Sequence, residues 1–524
     1  MSFTTLQGSF RKAPKGLKKG KEIGGNTQLT ASLQTPTFIT QAEIQSLLGE
    51  VQSGARPHLT PAELEKVLGS RPEHVRQINK AARDAGLKIE NRSQAHRSHG
   101  IVPVSGTYAA FQKFSPGLKL FKFHDKKGGY VIDHKGSINV QEGLPIVGFF
   151  GLRQRLIAHT NYLVHKPTGK QPRTIPNGAT SRDLAKLQGW NLAALDSVVR
   201  LTGYISLGGD NVKIGNDLKT LAKEAGINSP LFNRVSTDGG KNGSYTDDST
   251  VENVLDLLAQ GLLNPNGGVV CFQAGNSDDA FAGAGEAANV FKGVKIGSKL
   301  VKLSGMSISW GMGESNNTGD SLERWARIGL ASQLVGIDYI SATGDNGPKD
   351  GTQSDTPDAP SSVPWIGGGA GVGVTSDNGK TVSSIFPWND SDGGETGYGI
   401  SAHFAPMTEE GRLHLPVSSN TGKAGHSASV FADLAQPASC ATILYNKRKM
   451  QVGGTSHAAP FEIGKASAVK VKHGIPSFLA KAYAEGEQMV DKLTAGDATG
   501  PYPADPKASY NVMTGFGVIS PKLL

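Results

Sequence analysis

The sequence predicts an α/β unit built on a doubly wound parallel sheet with helices on both faces, preceded by a smaller α+β module. Three observations carry this expectation. The 524 residues exceed what one hydrophobic core holds. The charge is divided, +14 over residues 1–170 against −5 over 171–524, within an overall +9. The apolar rhythm also changes near residue 180, from mixed short helices and strands to strand and helix in alternation.

Residues 1–35 are rich in Gly and Lys without periodicity and read as a flexible basic arm. Residues 36–154 follow as the α+β module. Thr60-Pro61-Ala62-Glu63 combines a hydroxyl N-cap, a proline at the first helical position and a glutamate at the third, so a helix opens there. A second helix follows Pro72, with Val75, Ile78 and Ala82 on one face and Gly86 as its stop. Strands are expected at 87–89, 101–104 and 118–123, with a short helix at 108–114. Residues 155–179 are basic and punctuated by Pro and Gly, which is linker chemistry. From 180 to 524, short apolar runs at 267–272, 303–309 and 339–342 alternate with helical periodicity at 251–263 and 320–335, the pattern of a buried parallel sheet.

The composition is that of a globular protein, and the 68 glycines point to many tight turns. No stretch is apolar enough to span a bilayer, and no apolar run of the kind a secretory signal needs follows the basic N-terminal residues, so localisation is left unread. Cys271 and Cys440 cannot form a disulfide framework and read best as two separate buried thiols.

The chemistry centres on Gln451-Val452-Gly453-Gly454-Thr455-Ser456-His457-Ala458-Ala459-Pro460, a serine on a glycine turn between a strand and a helix of small residues. A helix N-terminus offers free N–H groups and the positive end of a dipole, which favour an oxyanion beside that serine. Subtilisin-like proteases carry a similar segment with a histidine base, but no matching histidine segment precedes Ser456 in the second unit; His96-Arg97-Ser98-His99-Gly100 lies in the basic first third. The segment 249–258 supplies carboxylates instead. Val251, Val254, Leu255, Leu258 and Leu262 form a helical stripe, and Glu252 and Asp256, four apart, stack at its margin. Two like charges held together raise one pKa, giving a carboxylate able to take a proton.

These segments, together with Ser307-Ile308-Ser309-Trp310-Gly311-Met312-Gly313-Glu314, Ser341-Ala342-Thr343-Gly344-Asp345-Asn346-Gly347, Trp388-Asn389-Asp390 and Thr396 to Ser401, occur in the order of the sedolisin (S53) family of serine-carboxyl peptidases, which the chain resembles from about Thr180 onward. Residues 36–154 resemble the family's ferredoxin-like activation propeptide. The resemblance implies a subtilisin-like fold and a kumamolisin-like precursor, a serine endopeptidase that works in acid and removes its own propeptide at a processing site in the linker 155–179, around 165–180. It implies Ser456 as nucleophile, Glu252 as proton carrier, Asp256 bonded to Glu252, and Asp345, protonated, in the oxyanion hole. Ser309, Trp310 and Gly311 would bind substrate, and Asp358 would face the S1 pocket and favour Arg or Lys at P1.

The sequence departs from the family where a calcium site is usual. Lys492 and Asn511 stand at the two aspartate positions, so no cofactor is expected; either the Lys492 ammonium takes the calcium position, or a shifted loop brings in Asp491 or Asp497. Tyr398 replaces a glycine and would narrow the cleft. The expected partners are protein or peptide substrates and the chain's own propeptide, in a monomer, with no membrane. The charge split fits a basic module capping an acidic one. The alternative is a non-catalytic scaffold whose basic arm binds nucleic acid.

Overall fold

The computed structural model describes all residues except 1, 13–16, 125–129, 154–157, 161, 165–177, 351, 353, 390–393, 405–431, 439, 440, 497–503, 508 and 509. The larger unit is built on a sheet with the strand order Leu231–Ser236, Gly268–Gln273, Leu201–Ser206, Leu303–Ile308, Asp338–Ala342, Ile366–Thr375, Leu434–Pro437, Val518–Ile519 and Val490–Asp491. The first eight strands run parallel, while Val490–Asp491 and Ser384–Pro387 are antiparallel additions. Every residue of Gly268–Gln273 and of Leu303–Ile308 is buried, as expected for parallel strands covered on both faces.

Side-chain alternation along Asp338–Ala342 shows the two faces. Ile340 and Ala342 pack on Ala459 and Ile463 of the long helix Thr455–His473, whereas Tyr339 turns to the other face, where its hydroxyl donates to Gly285 O of the helix Asp278–Asn289 at 2.9 Å. The doubly wound sheet expected from the sequence is therefore present. Among the described residues, no helix is long and apolar enough to cross a membrane.

The N-terminal module has a four-stranded antiparallel sheet in the order Lys88–Ile89, Ile101–Thr107, Gln28–Gln34, Gly148–Phe150. The helices Pro72–Asp84 and Tyr108–Phe114 contribute Ile78, Ala82, Phe111 and Phe114 to one apolar cluster with Leu29, Leu33, Val102 and Val104. In chain order this is strand, helix, strand, strand, helix, strand, the ferredoxin-like arrangement.

The expectation of a flexible arm over residues 1–35 is corrected. Gln28–Gln34 is a central strand of this sheet, Lys18–Glu22 pairs with Leu120–His124, and Phe3–Thr5 pairs with Asn139–Gln141. Lys18–Glu22 is largely exposed on both faces, so no apolar alternation betrays it; backbone bonds to its neighbour hold it, with Lys19 Nζ 3.7 Å from the centre of the Phe121 ring.

The module sits on the helices Asp278–Asn289 and Gly319–Val335 of the larger unit. Ile44, Leu48 and Leu64 pack against Leu330 and Leu334. Polar contacts surround them: Ser32 Oγ donates to Asp279 Oδ2 at 2.9 Å, and Arg327 Nη1 donates to the carbonyls of Thr35 at 2.8 Å and His99 at 3.2 Å. The buried Arg324 bonds Glu286 at 2.8 Å and Asp279 at 2.6 Å beneath the Phe150 ring. Arg11 and Arg153 face Asp278, so the opposite charges of the two units do meet.

Because Gln28–Gln34 lies between two other strands, deletion of residues 2–35 should remove the ability of the chain to reach a folded precursor. Near-ultraviolet circular dichroism of the refolded deletion variant checks this. A spectrum and soluble yield equal to those of the full chain would contradict it.

Candidate active site

Ser456 is the second residue of the helix Thr455–His473 and is buried. The turn before it needs glycine: Gly454 has φ +119°, where a side chain would be strained. Pro460 falls in the second turn of this helix, where it has no N–H for the carbonyl of Ser456. Ser309 Oγ lies 3.3 Å from that carbonyl instead, and the Ser456 hydroxyl donates to Ser309 O at 3.2 Å. Ser309 thus grips the serine residue from both its side chain and its main chain.

The helix Asp248–Gly261 is capped by the Asp247 side chain, which accepts from Ser249 N at 3.0 Å. The sequence placed Glu252 and Asp256 at the margin of a stripe. In the structure every residue from Thr250 to Gly261 is buried, because the helix Ile214–Glu224, the hairpin 441–453 and the Ser456 helix enclose it. A Cβ at Gly464 would come within 2.9 Å of Leu263, so that glycine lets the two helices approach. Asp256 Oδ1 accepts from Ser309 Oγ at 2.6 Å and from Ser307 Oγ at 3.3 Å. Burial pushes the Asp256 carboxyl up to about 8, against the pull of those two hydroxyls.

Asp345 follows the strand Asp338–Ala342. Its Oδ1 accepts from both Thr455 N and Thr455 Oγ1 at 2.8 Å, while Oδ2 has no hydrogen-bond partner among the described residues. Burial raises this carboxyl to about 8 in spite of the Thr455 bonds, and Asp350 adds to the rise. The doubly bonded Oδ1 acts as the carbonyl oxygen, so the proton belongs on Oδ2, which is then free to donate.

His457, beside the serine, faces away from it. Its Nδ1 donates to Pro437 O at 2.7 Å, which leaves Nε2 to accept from Ser181 Oγ at 3.1 Å. Burial lowers its pKa to about 4. A histidine committed in this way cannot serve Ser456 as base, which agrees with the missing histidine segment.

Beyond Ser309, the strand Trp310–Gly313 borders a cleft that part of the expected linker occupies. His159 and Thr160 pair antiparallel with Gly311 and Trp310, and Leu163 and Val164 with Gly453 and Val452. Asp358 sits against Gly311, where a Cβ would collide with its carboxyl group. Burial and the neighbouring Asp350 carboxyl hold Asp358 well above the usual range. Tyr398, expected to narrow the cleft, is buried in the main core, and its hydroxyl donates to Glu395 at 3.0 Å.

No family model matches the chain. Kumamolisin from Bacillus sp. (strain MN-32) is 26% identical over 488 residues, which are 89% of this chain and 84% of the relative. Among solved structures, Pseudomonas sedolisin, a serine-carboxyl proteinase complexed with two molecules of pseudo-iodotyrostatin, is similar in fold with a TM-score of 0.53. That likeness covers 66% of this chain and 96% of the other at 19% identity. The chain is thus similar to kumamolisin over most of its length and to sedolisin in fold.

Of the residues that the family pattern points to, Ser456, Asp256, Asp345 and Ser309 are joined by the bonds above, with Glu252 buried one helical turn from Asp256. Ser309 turns inward to Asp256 rather than only lining the cleft. The sequence reading missed Thr455 as the clamp on Asp345, although it stands inside the serine motif. It also missed Asp350, which no motif marks. Asp390, Cys440 and Asp497 lie outside the described residues, as do residues 165–177, most of the span where processing was expected. Cys271 is a buried free thiol.

The buried carboxyls make stability depend on pH. Asp256 and Asp345 at about 8, and Asp433, raised by burial to about 7, keep protons in the fold. The unfolded chain releases those protons above about pH 4, so stability falls as pH climbs from there through about 8. Neutral His457 opposes this only in acid, where the unfolded chain gains a proton below about pH 6.5. Calorimetry of the Ser456→Ala precursor should give a midpoint several degrees lower at about pH 8 than at about pH 5.5. An equal or higher midpoint at the alkaline end would contradict neutral burial.

Proposed function

We propose that this chain is the precursor of an acid-acting serine-carboxyl endopeptidase that removes its own propeptide. The observation that carries the reading is that two buried, proton-holding carboxyls bond directly to the residues that position Ser456, Asp256 through Ser309 and Asp345 through Thr455. Ser456 Oγ attacks the scissile carbonyl carbon while Glu252 takes its proton. Asp256, buried one turn along, would donate its proton in a hydrogen bond to Glu252 and keep that carboxylate in place. The Oδ2–H of Asp345 donates to the developing oxyanion, helped by the N-terminus of the serine helix. Glu252 then returns the proton to the leaving amine, and water releases the acyl group by the reverse route.

Acid dependence follows from the proton positions. Asp345 must be neutral to donate, and this condition fails as pH rises through its pKa, about 8 with the cleft filled. Departure of the linker lets water reach the carboxyl and lowers that value, so the alkaline limb of the mature enzyme lies below 8. Asp358, with Asp350 beside it, forms an acidic floor below Gly311 that suits a basic substrate side chain.

Asp345→Asn keeps a neutral donor, so it should retain more kcat/KM than Asp345→Ala and move the alkaline limb upward. The alanine variant should lose about 100- to 1000-fold, the worth of one oxyanion donor. Ser456→Ala and Glu252→Gln should abolish self-processing. An Asn variant that keeps the original alkaline limb would show that another group titrates.

No bound calcium is part of this proposal. Lys492 is a donor only, and the Asn511 amide is turned to the main chain of Asp505, accepting from its N–H at 2.8 Å and donating to its carbonyl at 3.1 Å. Metal analysis of the dialysed precursor should find no stoichiometric calcium, and calcium in equal amount to protein would overturn this.

A further inference from the structure

Residues 158–160 lie in the cleft as a short extended stretch held on both edges. On one edge His159 pairs with Gly311 and Thr160 with Trp310, antiparallel. On the other edge a side chain takes the place of a strand: Ala158 N donates to Asn276 Oδ1 at 3.1 Å, and Asn276 Nδ2 donates to Ala158 O at 2.8 Å. Asn276 thereby meets both main-chain polar groups of one residue, as a neighbouring antiparallel strand does. Ala158 is 8% exposed and belongs to the apolar cluster of Phe281, Trp310 and Ala359, so these bonds are made away from water, where losing a partner costs most.

The position of Asn276 is fixed by its own neighbours. It stands between the strand Gly268–Gln273 and the helix Asp278–Asn289, and that helix is capped by Ser277, whose side chain accepts from Ala280 N at 3.3 Å. The register leads from there to the nucleophile. Trp310 follows Ser309, whose carbonyl accepts from Ser456 Oγ at 3.2 Å. A substrate strand laid along Trp310–Gly313 in this register has the residue that Ser456 attacks opposite Ser309. Counted away from the reacting bond, its second residue faces Trp310, its third faces Gly311, and its fourth takes the position of Ala158.

We propose that Asn276 is a substrate-binding residue that clamps the fourth residue on the acyl side of the bond to be cut, through that residue's N–H and carbonyl. The inference rests on the peptidase reading above and deepens it to a substrate class, peptides with at least four residues ahead of the reacting bond. Ala158 N is an amide within a chain, so the clamp accepts continuous polypeptide. Bonds to the main chain do not read a side chain, and the apolar cluster around Ala158 suits a small apolar one. A strand pinned at its fourth residue keeps the register in which the reacting carbonyl meets Ser456 Oγ.

The test begins with the full chain, acidified and given a denatured protein to digest. One bond that it cuts is copied into three peptides, identical from the third acyl-side residue onward. The first begins at that residue, the second carries acetyl-alanine ahead of it, and the third carries acetyl-N-methylalanine, which has no N–H to donate. The wild type should cut the alanine peptide with a kcat/KM about tenfold above that for the short one, and severalfold above that for the methylated one. Asn276→Ala should lose both preferences. Asn276→Asp keeps a carbonyl oxygen and a hydroxyl donor while protonated, so it should show the preferences at about pH 3 and lose them as pH rises through about 4.

Each preference is a ratio within one preparation, so a partly misfolded variant does not imitate the result. If Asn276→Ala does not fold, the pH dependence of the Asp variant carries the test. A ratio that survives in Asn276→Ala, or an Asp variant whose ratio ignores pH, overturns the clamp and leaves the peptidase reading standing. A wild type that cuts the short or the methylated peptide as well as the alanine one does the same. A wild type that digests no denatured protein overturns the peptidase reading and the clamp with it.

Discussion

A carboxyl group buried without a cation beside it must keep its proton, and the centre of this molecule is organised around that constraint. Asp256 and Asp345 are both raised to about 8 by burial, and Asp358 lies well above the usual range. Burial outweighs the hydroxyls of Ser307 and Ser309 at Asp256 and the Thr455 N–H and hydroxyl at Asp345, which pull toward the charged form, and at Asp358 a second carboxyl adds to the rise. A protonated carboxyl can donate as well as accept, which is the chemistry that the proposed acid–base role of these groups draws on. His457, the histidine next to Ser456 in the chain, is locked by Pro437 and Ser181.

The same constraint sets the backbone. To hold protons the carboxyls must be dry, so the helix carrying Glu252 and Asp256 is buried on all sides, and Gly464 lets the serine helix close over it. Pro460 removes one helical hydrogen bond, and the freed Ser456 carbonyl faces Ser309 Oγ. One hydroxyl group therefore links the acid helix, the serine helix and the strand that borders the cleft.

The N-terminal module fits this scheme as a second cover. Its helices 41–52 and 61–68 rest by apolar contact on the helix Gly319–Val335, and the charged groups at the contact are a minority of what touches. Of the segment that follows it, His159 and Thr160 pair with Gly311 and Trp310, and Leu163 and Val164 with Gly453 and Val452.

The sequence by itself determined the parts whose signals are local. The capping box at Thr60, the proline start at Pro72, the alternating runs of the parallel sheet and the glycine turn before Ser456 were all legible, since each rests on residues adjacent in the chain or one helical turn apart. It misjudged Lys18–Glu22 and Gln28–Gln34, because a strand held by backbone bonds to a distant partner leaves little mark in its own composition. It also could not give Thr455 its grip on Asp345 or Asp350 its place beside Asp358. The first depends on segments 110 residues apart, and only the closed sheet brings them within hydrogen-bonding range. Which carboxyls keep their protons was decided there too, because a pKa follows from burial and neighbours, and burial is a property of the whole fold.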